Sequence, residues 1–379
     1  MSSPHSAQSM TTPAHCAAPL VRISRIRLIL FSLLPTILLL LTAEVGLRVW
    51  ALYFRTPYER YNSQTGRLEL VPNLRSKTSS GQEFVTNSKG FLGPEFQAQK
   101  PDGMYRVLAL GDSCTFGSGD WRTAYPAILE HYLSAASSHT RYEAINAGIE
   151  GYNSEYALGR LRDELVQYTP DMVVIYVGWN DLMKVNPSNL SATGKYTWLT
   201  KLMDKSYLLK AYNKLLFYYL RPIFLKPEVK PSEVDLHAFD QFTPLAFQNN
   251  LESIVSLLIQ RRTTPVLMTL PTVVTTSMTQ QDLKNQHVFF PYYAGTYSVS
   301  KFLSLHRAYN DTIRGVAAMY KVPLVDLDAL FNVRAKGDLF WDTMHPSEKG
   351  HRLIAEFLAE RIRQISMDRS WTNPLALRS

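Results

Sequence analysis

Cysteine is nearly absent: 379 residues hold two, Cys16 and Cys114. That excludes a disulfide-stapled scaffold and a cysteine-ligated zinc module. Charged residues are sparse at 19%, against 46% hydrophobic. So much apolar mass excludes global disorder, a collagen-like chain and a long coiled coil. The length suits two domains, or one domain with large insertions. A concentrated basic patch is missing too, because the net charge of +8 (40 minus 32) is dispersed. The one tight group, Arg22, Arg25 and Arg27, stands directly before an apolar run. Basic residues there act as a membrane orientation signal, so nucleic acid is not an expected partner. No Gly-Lys-Ser/Thr phosphate loop is present, and Gly117 and Gly119 lack the third glycine of a dinucleotide fingerprint. No internal repeat is visible.

Long hydrophobic runs are limited to one. Residues 1–19 are rich in Ser, Thr, Pro and Ala and read as a disordered tail. Residues 28–43 (LILFSLLPTILLLLTA) carry no charge. As a helix they span about 24 Å, short of the ~30 Å hydrocarbon core. Continuing through Glu44 and Arg48 to Tyr53 supplies the missing length. Glu44 and Arg48 lie four apart and share a helix face, and Trp50 and Tyr53 suit an aromatic belt. A cleaved signal peptide is the competing reading. Leu41 fits the small-x-small cleavage rule poorly, which favours an uncleaved anchor. Arginines before the helix keep residues 1–27 in the cytoplasm and place the large C-terminal part on the periplasmic or extracellular side of the cell membrane.

Residues 54–103 read as a stalk or linker with many turn formers. Beyond them, short apolar runs alternate with amphipathic stretches. Strands are expected at 106–110, 142–146, 172–177, 265–270 and 322–327. Helices are expected at 125–134, 154–167, 251–262, 304–320 and 347–365. Strands separated by helices imply βαβ units and a mostly parallel sheet covered on both faces. Such sheets bind ligands at the carboxyl ends of their strands. Two intervals, 182–250 and 272–303, are too long for plain connections. The first carries Tyr196, Trp198, Tyr207, Tyr212, Phe217, Tyr218 and Tyr219. These aromatics suit either lid packing or stacking on sugar rings.

Four short blocks carry candidate chemistry. The first strand runs into Gly111-Asp112-Ser113-Cys114-Thr115. A serine there is either a turn or cap residue, or a nucleophile facing the N–H groups of a following helix. The sequence is not Gly-x-Ser-x-Gly, so the α/β-hydrolase elbow is not matched. The second block, residues 146–153, follows the second strand with Gly148 and Gly151. It reads as a glycine turn, or as a backbone N–H presented to a ligand. The third is Gly178-Trp179-Asn180-Asp181, whose Asn180 suits a helix cap or an oxyanion donor. The fourth is Asp342-Thr343-Met344-His345-Pro346, where a spacing of three lets the carboxylate reach the imidazole. A metal set of Asp342, His345, Glu348 and His351 lacks support elsewhere, so no metal and no cofactor is expected. The other histidines, His351 included, read as surface or packed residues.

In this order, the Gly-Asp-Ser block, a second-block glycine, Gly-x-Asn-Asp and Asp-x-x-His resemble the SGNH (GDSL-type) hydrolase superfamily. The resemblance covers roughly residues 85–365, and residues 86–91 with the N-terminal anchor look like bacterial membrane-anchored members. It implies a flavodoxin-like three-layer α/β/α sandwich over residues 104–370, with an insertion at about 182–250 and one transmembrane helix at 28–53. It implies Ser113 as nucleophile, His345 as general base and Asp342 as its orienting partner. The implied oxyanion donors are the N–H of Ser113, the N–H of Gly151, matched better than Gly148, and the side chain of Asn180. Asp112 and Asp181 brace the loops, and Cys114 is a packed residue. The expected activity is ester hydrolysis through an acyl-serine on a small-molecule ester or an acylated glycan or lipid. The alternatives are an O-acetyltransferase of a cell-surface polysaccharide, which passes through the same acyl-serine, and a catalytically silent binding module. Asn189-Leu190-Ser191 and Asn310-Asp311-Thr312 match glycosylation acceptors.

Overall fold

The computed structural model describes residues 25–54, 58–62, 64–77, 83–183, 206–214, 242–290, 299–334 and 336–367. The N-terminal tail to residue 24, Asn189 and the aromatics Tyr196, Trp198, Phe217, Tyr218 and Tyr219 lie outside them. The chain divides into two compact units, Met1–Arg55 with Trp198–Asn213, and Thr56–Thr197 with Lys214–Ser379.

In the first unit the helix Arg25–Phe54 runs through the apolar stretch. Its portion Phe31–Trp50 is long and apolar enough to cross a membrane. Twenty residues at 1.5 Å each give about 30 Å, the thickness of the hydrocarbon core. The leucines Leu34, Leu38, Leu39 and Leu41 are exposed around the helix. The expected pair forms, with Arg48 2.8 Å from Glu44. Glu44 also accepts from Ser206 Oγ at 2.9 Å and from the N–H groups of Tyr207 and Leu208 at 3.1 and 2.7 Å. A carboxylate in an apolar helix is costly unless paired, and here it caps the helix Tyr207–Lys214.

The second unit is built on a parallel sheet. Strands β1 (Glu59–Asn62) and β2 (Arg67–Leu70) form one antiparallel hairpin, and β3 (Arg75–Lys77) and β4 (Glu83–Val85) another. The sheet comprises β5 (Met104–Gly111), β6 (Arg141–Gly148), β7 (Met172–Tyr176), β8 (Thr264–Met268) and β9 (Leu324–Val325), in the order β6-β5-β7-β8-β9. All pairs are parallel. Counted within the sheet this is 2-1-3-4-5, the flavodoxin-like order, so the fold expected from the sequence is the one observed.

Strand β7 (MVVIY) is buried at every position, as a strand covered on both faces must be. Helices Tyr125–Ala135 and Glu348–Met367 pack together in one covering layer. Helices Ser154–Asp163, Leu245–Gln260 and Val299–Tyr320 form the other. Arg106, fully buried at the base of the sheet, donates to the carbonyls of Gln97, Ala98 and Tyr168 and pairs with Glu143. Those bonds satisfy the guanidinium that burial strips of water.

Several boundaries differ from the sequence reading. The helix expected at 154–167 ends at Asp163 and passes into a 3-10 turn, Leu165–Tyr168. The left-handed Thr169 and Pro170 stop it there. The helices expected from 251 and 304 begin at Leu245 and Val299. The last strand is only Leu324–Val325, because Asp326 leaves it to cap the helix Leu327–Asn332. Residues 54–103, read as a stalk, carry both hairpins. Leu70 and Phe84 from them, with Leu92, join Phe116, Ile149 and Tyr152 in a second hydrophobic cluster.

Candidate active site

The register of the sheet sets the site. Gly111 pairs with Gly148 on one side and with Tyr176 on the other. The carboxyl ends of β5, β6 and β7 are therefore level, at the place where the strand order reverses and open α/β sheets bind ligands. Ser113, Gly151 and Asn180 each follow one of these ends within a few residues.

Ser113 opens the short helix Ser113–Phe116. Asp112 caps it, its Oδ1 accepting from Cys114 N–H at 2.9 Å. Ser113 N–H stands at the first helical position, where no intrahelical acceptor exists. The helix lies against β6 so closely that a β-carbon on Gly148 would fall 2.4 Å from Phe116 N. Gly148 is thus needed for packing. Gly151 has φ of +74° with nothing within 4 Å of its missing β-carbon, so here glycine serves a left-handed turn.

Asn180 is not a cap. It lies inside the helix Trp179–Met183, and its Nδ2 donates to Tyr152 carbonyl at 3.0 Å. One amide hydrogen is used, and the bond ties the third block to the loop of Gly151. Asp181 accepts from Ser154 N–H at 2.9 Å and Ser154 Oγ at 2.6 Å, bracing the same loop.

The fourth block arrives from the far end of the chain. Ser113 Oγ lies 2.8 Å from His345 Nε2, across 232 residues of sequence. His345 Nδ1 lies 2.7 Å from Asp342 Oδ2. Asp342 Oδ1 accepts from the N–H groups of Met344 and His345, both at 3.0 Å. Burial alone would raise the Asp342 carboxyl, yet the hydrogen bond and charge of His345 and the two N–H groups hold it below the ordinary carboxylate range. For His345, burial works downward and is outweighed by the hydrogen bond and charge of Asp342, so its pKa is raised. Asp112 is fully buried behind the serine, and burial pushes its carboxyl up to about 7 against the Cys114 N–H bond.

A cavity of about 270 Å³ opens over Ser113 and His345. Six of its wall residues were not among the catalytic or oxyanion residues expected from the sequence: Gly117, Ser118, Glu150, Trp341, Pro346 and His351. Glu150 accepts from Tyr58 OH at 3.0 Å. Trp341 is 59% exposed. His351, read from sequence as surface or packed, is buried and faces the cavity; its place six residues past His345 in the last helix was the available signal. Cys114 is packed, with its Sγ 3.6 Å from the Met344 carbonyl. Asn310, one of the glycosylation matches, is buried and donates to the Leu270 carbonyl at 3.1 Å. Among the described residues no three His, Cys, Asp or Glu side chains converge as a metal site needs.

Such an arrangement can move a proton from a hydroxyl to an imidazole held by a carboxylate, beside several backbone and amide donors. Among solved structures, the chain is similar to a lipase/acylhydrolase from Enterococcus faecalis (18% identity, 69% of this chain and 96% of that chain, TM-score 0.42). It is also similar to a catalytic mutant of an acetylxylan esterase from Geobacillus stearothermophilus (17%, 68% and 94%, TM-score 0.41). A third is a GDSL-like lipase from Bacteroides thetaiotaomicron (16%, 68% and 88%, TM-score 0.39). No curated protein matches the sequence. The model of the GDSL-like lipase/acylhydrolase family matches residues 109–353. That span takes in all four blocks and well over half of the sequence, and by it the chain belongs to the GDSL-like lipase/acylhydrolase family.

Proposed function

We propose that the protein is a serine-dependent ester hydrolase, of the carboxylesterase or deacetylase type, working through an acyl-serine intermediate. One observation carries the reading: unbroken hydrogen-bond contact from Ser113 through His345 to Asp342, at 2.8 and 2.7 Å. In this reading Ser113 Oγ attacks the ester carbonyl while His345 Nε2 takes the hydroxyl proton. The tetrahedral intermediate collapses, and His345 returns that proton to the departing alcohol. Water then repeats the sequence on the acyl-serine, releasing the acid. Asp342 fixes the tautomer of His345 and stabilises the imidazolium. The N–H groups of Ser113 and Gly151 and the second amide hydrogen of Asn180 hold the oxyanion.

The cavity volume favours a small ester, or the ester end of an acylated glycan or lipid. The helix Arg25–Phe54 anchors the chain in the cell membrane by a single pass, and Arg22, Arg25 and Arg27 keep the catalytic part outside the cytoplasm. In this reading residues 28–53 are the anchor and 104–370 the hydrolase domain. Ser113→Ala should abolish acetate release from phenyl acetate while circular dichroism shows the fold retained. Undiminished turnover in that variant removes Ser113 from the nucleophile role.

A further inference from the structure

His351 is a buried imidazole with one nitrogen committed and the other open. It lies in the last helix, Glu348–Met367, and is 3% exposed. Its Nδ1 accepts from the backbone N–H of Tyr125 at 3.3 Å, and its ring stacks on Tyr125 at 6.3 Å and 18°. An accepting Nδ1 leaves the proton on Nε2. Burial, with the charge of His345 adding, pushes its pKa down to about 4, so the ring is neutral at ordinary pH. Nε2–H has no partner among the described residues.

The neighbourhood of Nε2 leaves it open to the cavity. A β-carbon on Gly117 would lie 3.7 Å from it, so a side chain there would begin to cover the donor. Gly117 and His351 both wall the cavity over Ser113. The rest of the wall is Ser118, Glu150 from the loop of Gly151, and Trp341, Asp342, His345 and Pro346 from the fourth block and its approach. Asn180, the side-chain oxyanion donor of the proposed mechanism, is not part of it. A departing alcohol must stand where His345 can protonate it, and His345 is itself a wall of this cavity, so the alcohol portion can reach it.

We infer that His351 Nε2–H is a specificity-determining donor that binds an oxygen of the alcohol portion, selecting esters of polyols and ether alcohols over esters of plain alkyl alcohols. The inference rests on the hydrolase reading above and names the alcohol class for that same site. A fixed neutral donor gives nothing to a hydrocarbon chain, and leaving it buried and unpaired against one costs binding. Glu150 and Ser118 add polar atoms to the same cavity, and Trp341 adds an aromatic face.

A pair of isosteric substrates tests this. In 2-methoxyethyl acetate an ether oxygen replaces one methylene of butyl acetate. Acetate release by the full-length protein in detergent gives kcat/KM for each, divided by its rate of hydroxide hydrolysis to remove intrinsic reactivity. The wild type should prefer the ether ester about tenfold, the scale of one hydrogen bond. His351→Leu should bring the preference to about one, and His351→Gln, which keeps an amide donor near the Nε2 position, should retain much of it. Equal normalised rates in the wild type, or full preference surviving in H351L, overturn the inference. The wild-type comparison needs no variant, so a folding failure in H351L still leaves a refuting result. Turnover of both acetates without preference sinks this inference alone. No turnover of either, nor of phenyl acetate, sinks the hydrolase reading and this with it.

Discussion

Asp112 offers a stability measurement that reports on the chemistry of the site. Its carboxyl is fully buried, Oδ1 holds the Cys114 N–H, and Oδ2 has no partner among the described residues. Burial raises its pKa from an ordinary 3.8 to about 7, with the charge of His345 opposing. The folded protein therefore keeps a proton that the unfolded chain releases near pH 4. The contribution of this group to stability must then fall as pH climbs from about 4 to about 7, and level off above. The gap between 3.8 and about 7, at 1.36 kcal/mol per pH unit, gives roughly 4 kcal/mol from this one group. Asp112→Asn keeps an Oδ1 for Cys114 N–H and has nothing to titrate. Urea unfolding of both proteins in detergent at pH 4 to 8 isolates the effect. The stability of the variant relative to the wild type should rise by roughly 4 kcal/mol between pH 4 and pH 7.5. A difference that stays flat across that range refutes the reasoning, because it means the carboxyl ionises in the fold as easily as in water.

Two further variants probe the reaction. Asn180→Ala removes one of the proposed oxyanion donors, and kcat with a phenyl ester should fall about 10²–10³-fold while KM changes little; a loss confined to KM contradicts the assignment. Asp342→Asn removes the carboxylate that does most to raise His345, leaving burial opposed only by the charges of Asp112 and Glu150. In its proposed role His345 is a base only when neutral, so the acid limb of kcat/KM should move to lower pH while turnover drops about 10³–10⁴-fold, and an unmoved limb shows that another group sets it.

The sheet was legible because strands covered on both faces read as unbroken apolar runs, and VLAL after Arg106 and MVVIY are such runs. The four blocks were legible because each directly follows, or precedes, an element with a clear period. Helix starts at Leu245 and Val299 were less so, since Pro244 offers no side-chain cap and residues 299–303 mix polar and apolar types. Strands of three or four residues, such as those of the two hairpins, are too short for alternation to show. Neither could the sequence reveal that Asn180 ties to Tyr152 rather than capping a helix, nor that His351 is used at Nδ1 and open at Nε2. Both facts depend on which backbone group a side chain meets after folding.

The hairpins after the helix Arg25–Phe54 set where the polypeptide can be cut. Tyr58 OH holds Glu150, next to Gly151. Tyr152 OH donates to the Leu68 carbonyl at 2.5 Å, so the loop bearing Gly151 is sewn to β2 as well as to Asn180. Tyr58, Leu68, Leu70, Leu74, Phe84 and Leu92 also roof Phe116, Ile149 and Tyr152. A soluble form trimmed just before Tyr58 keeps this roof and its stitches. One trimmed at Gly103, just before the first strand of the sheet, bares three large apolar side chains near Ser113 and leaves the Gly151 loop fastened on one flank only.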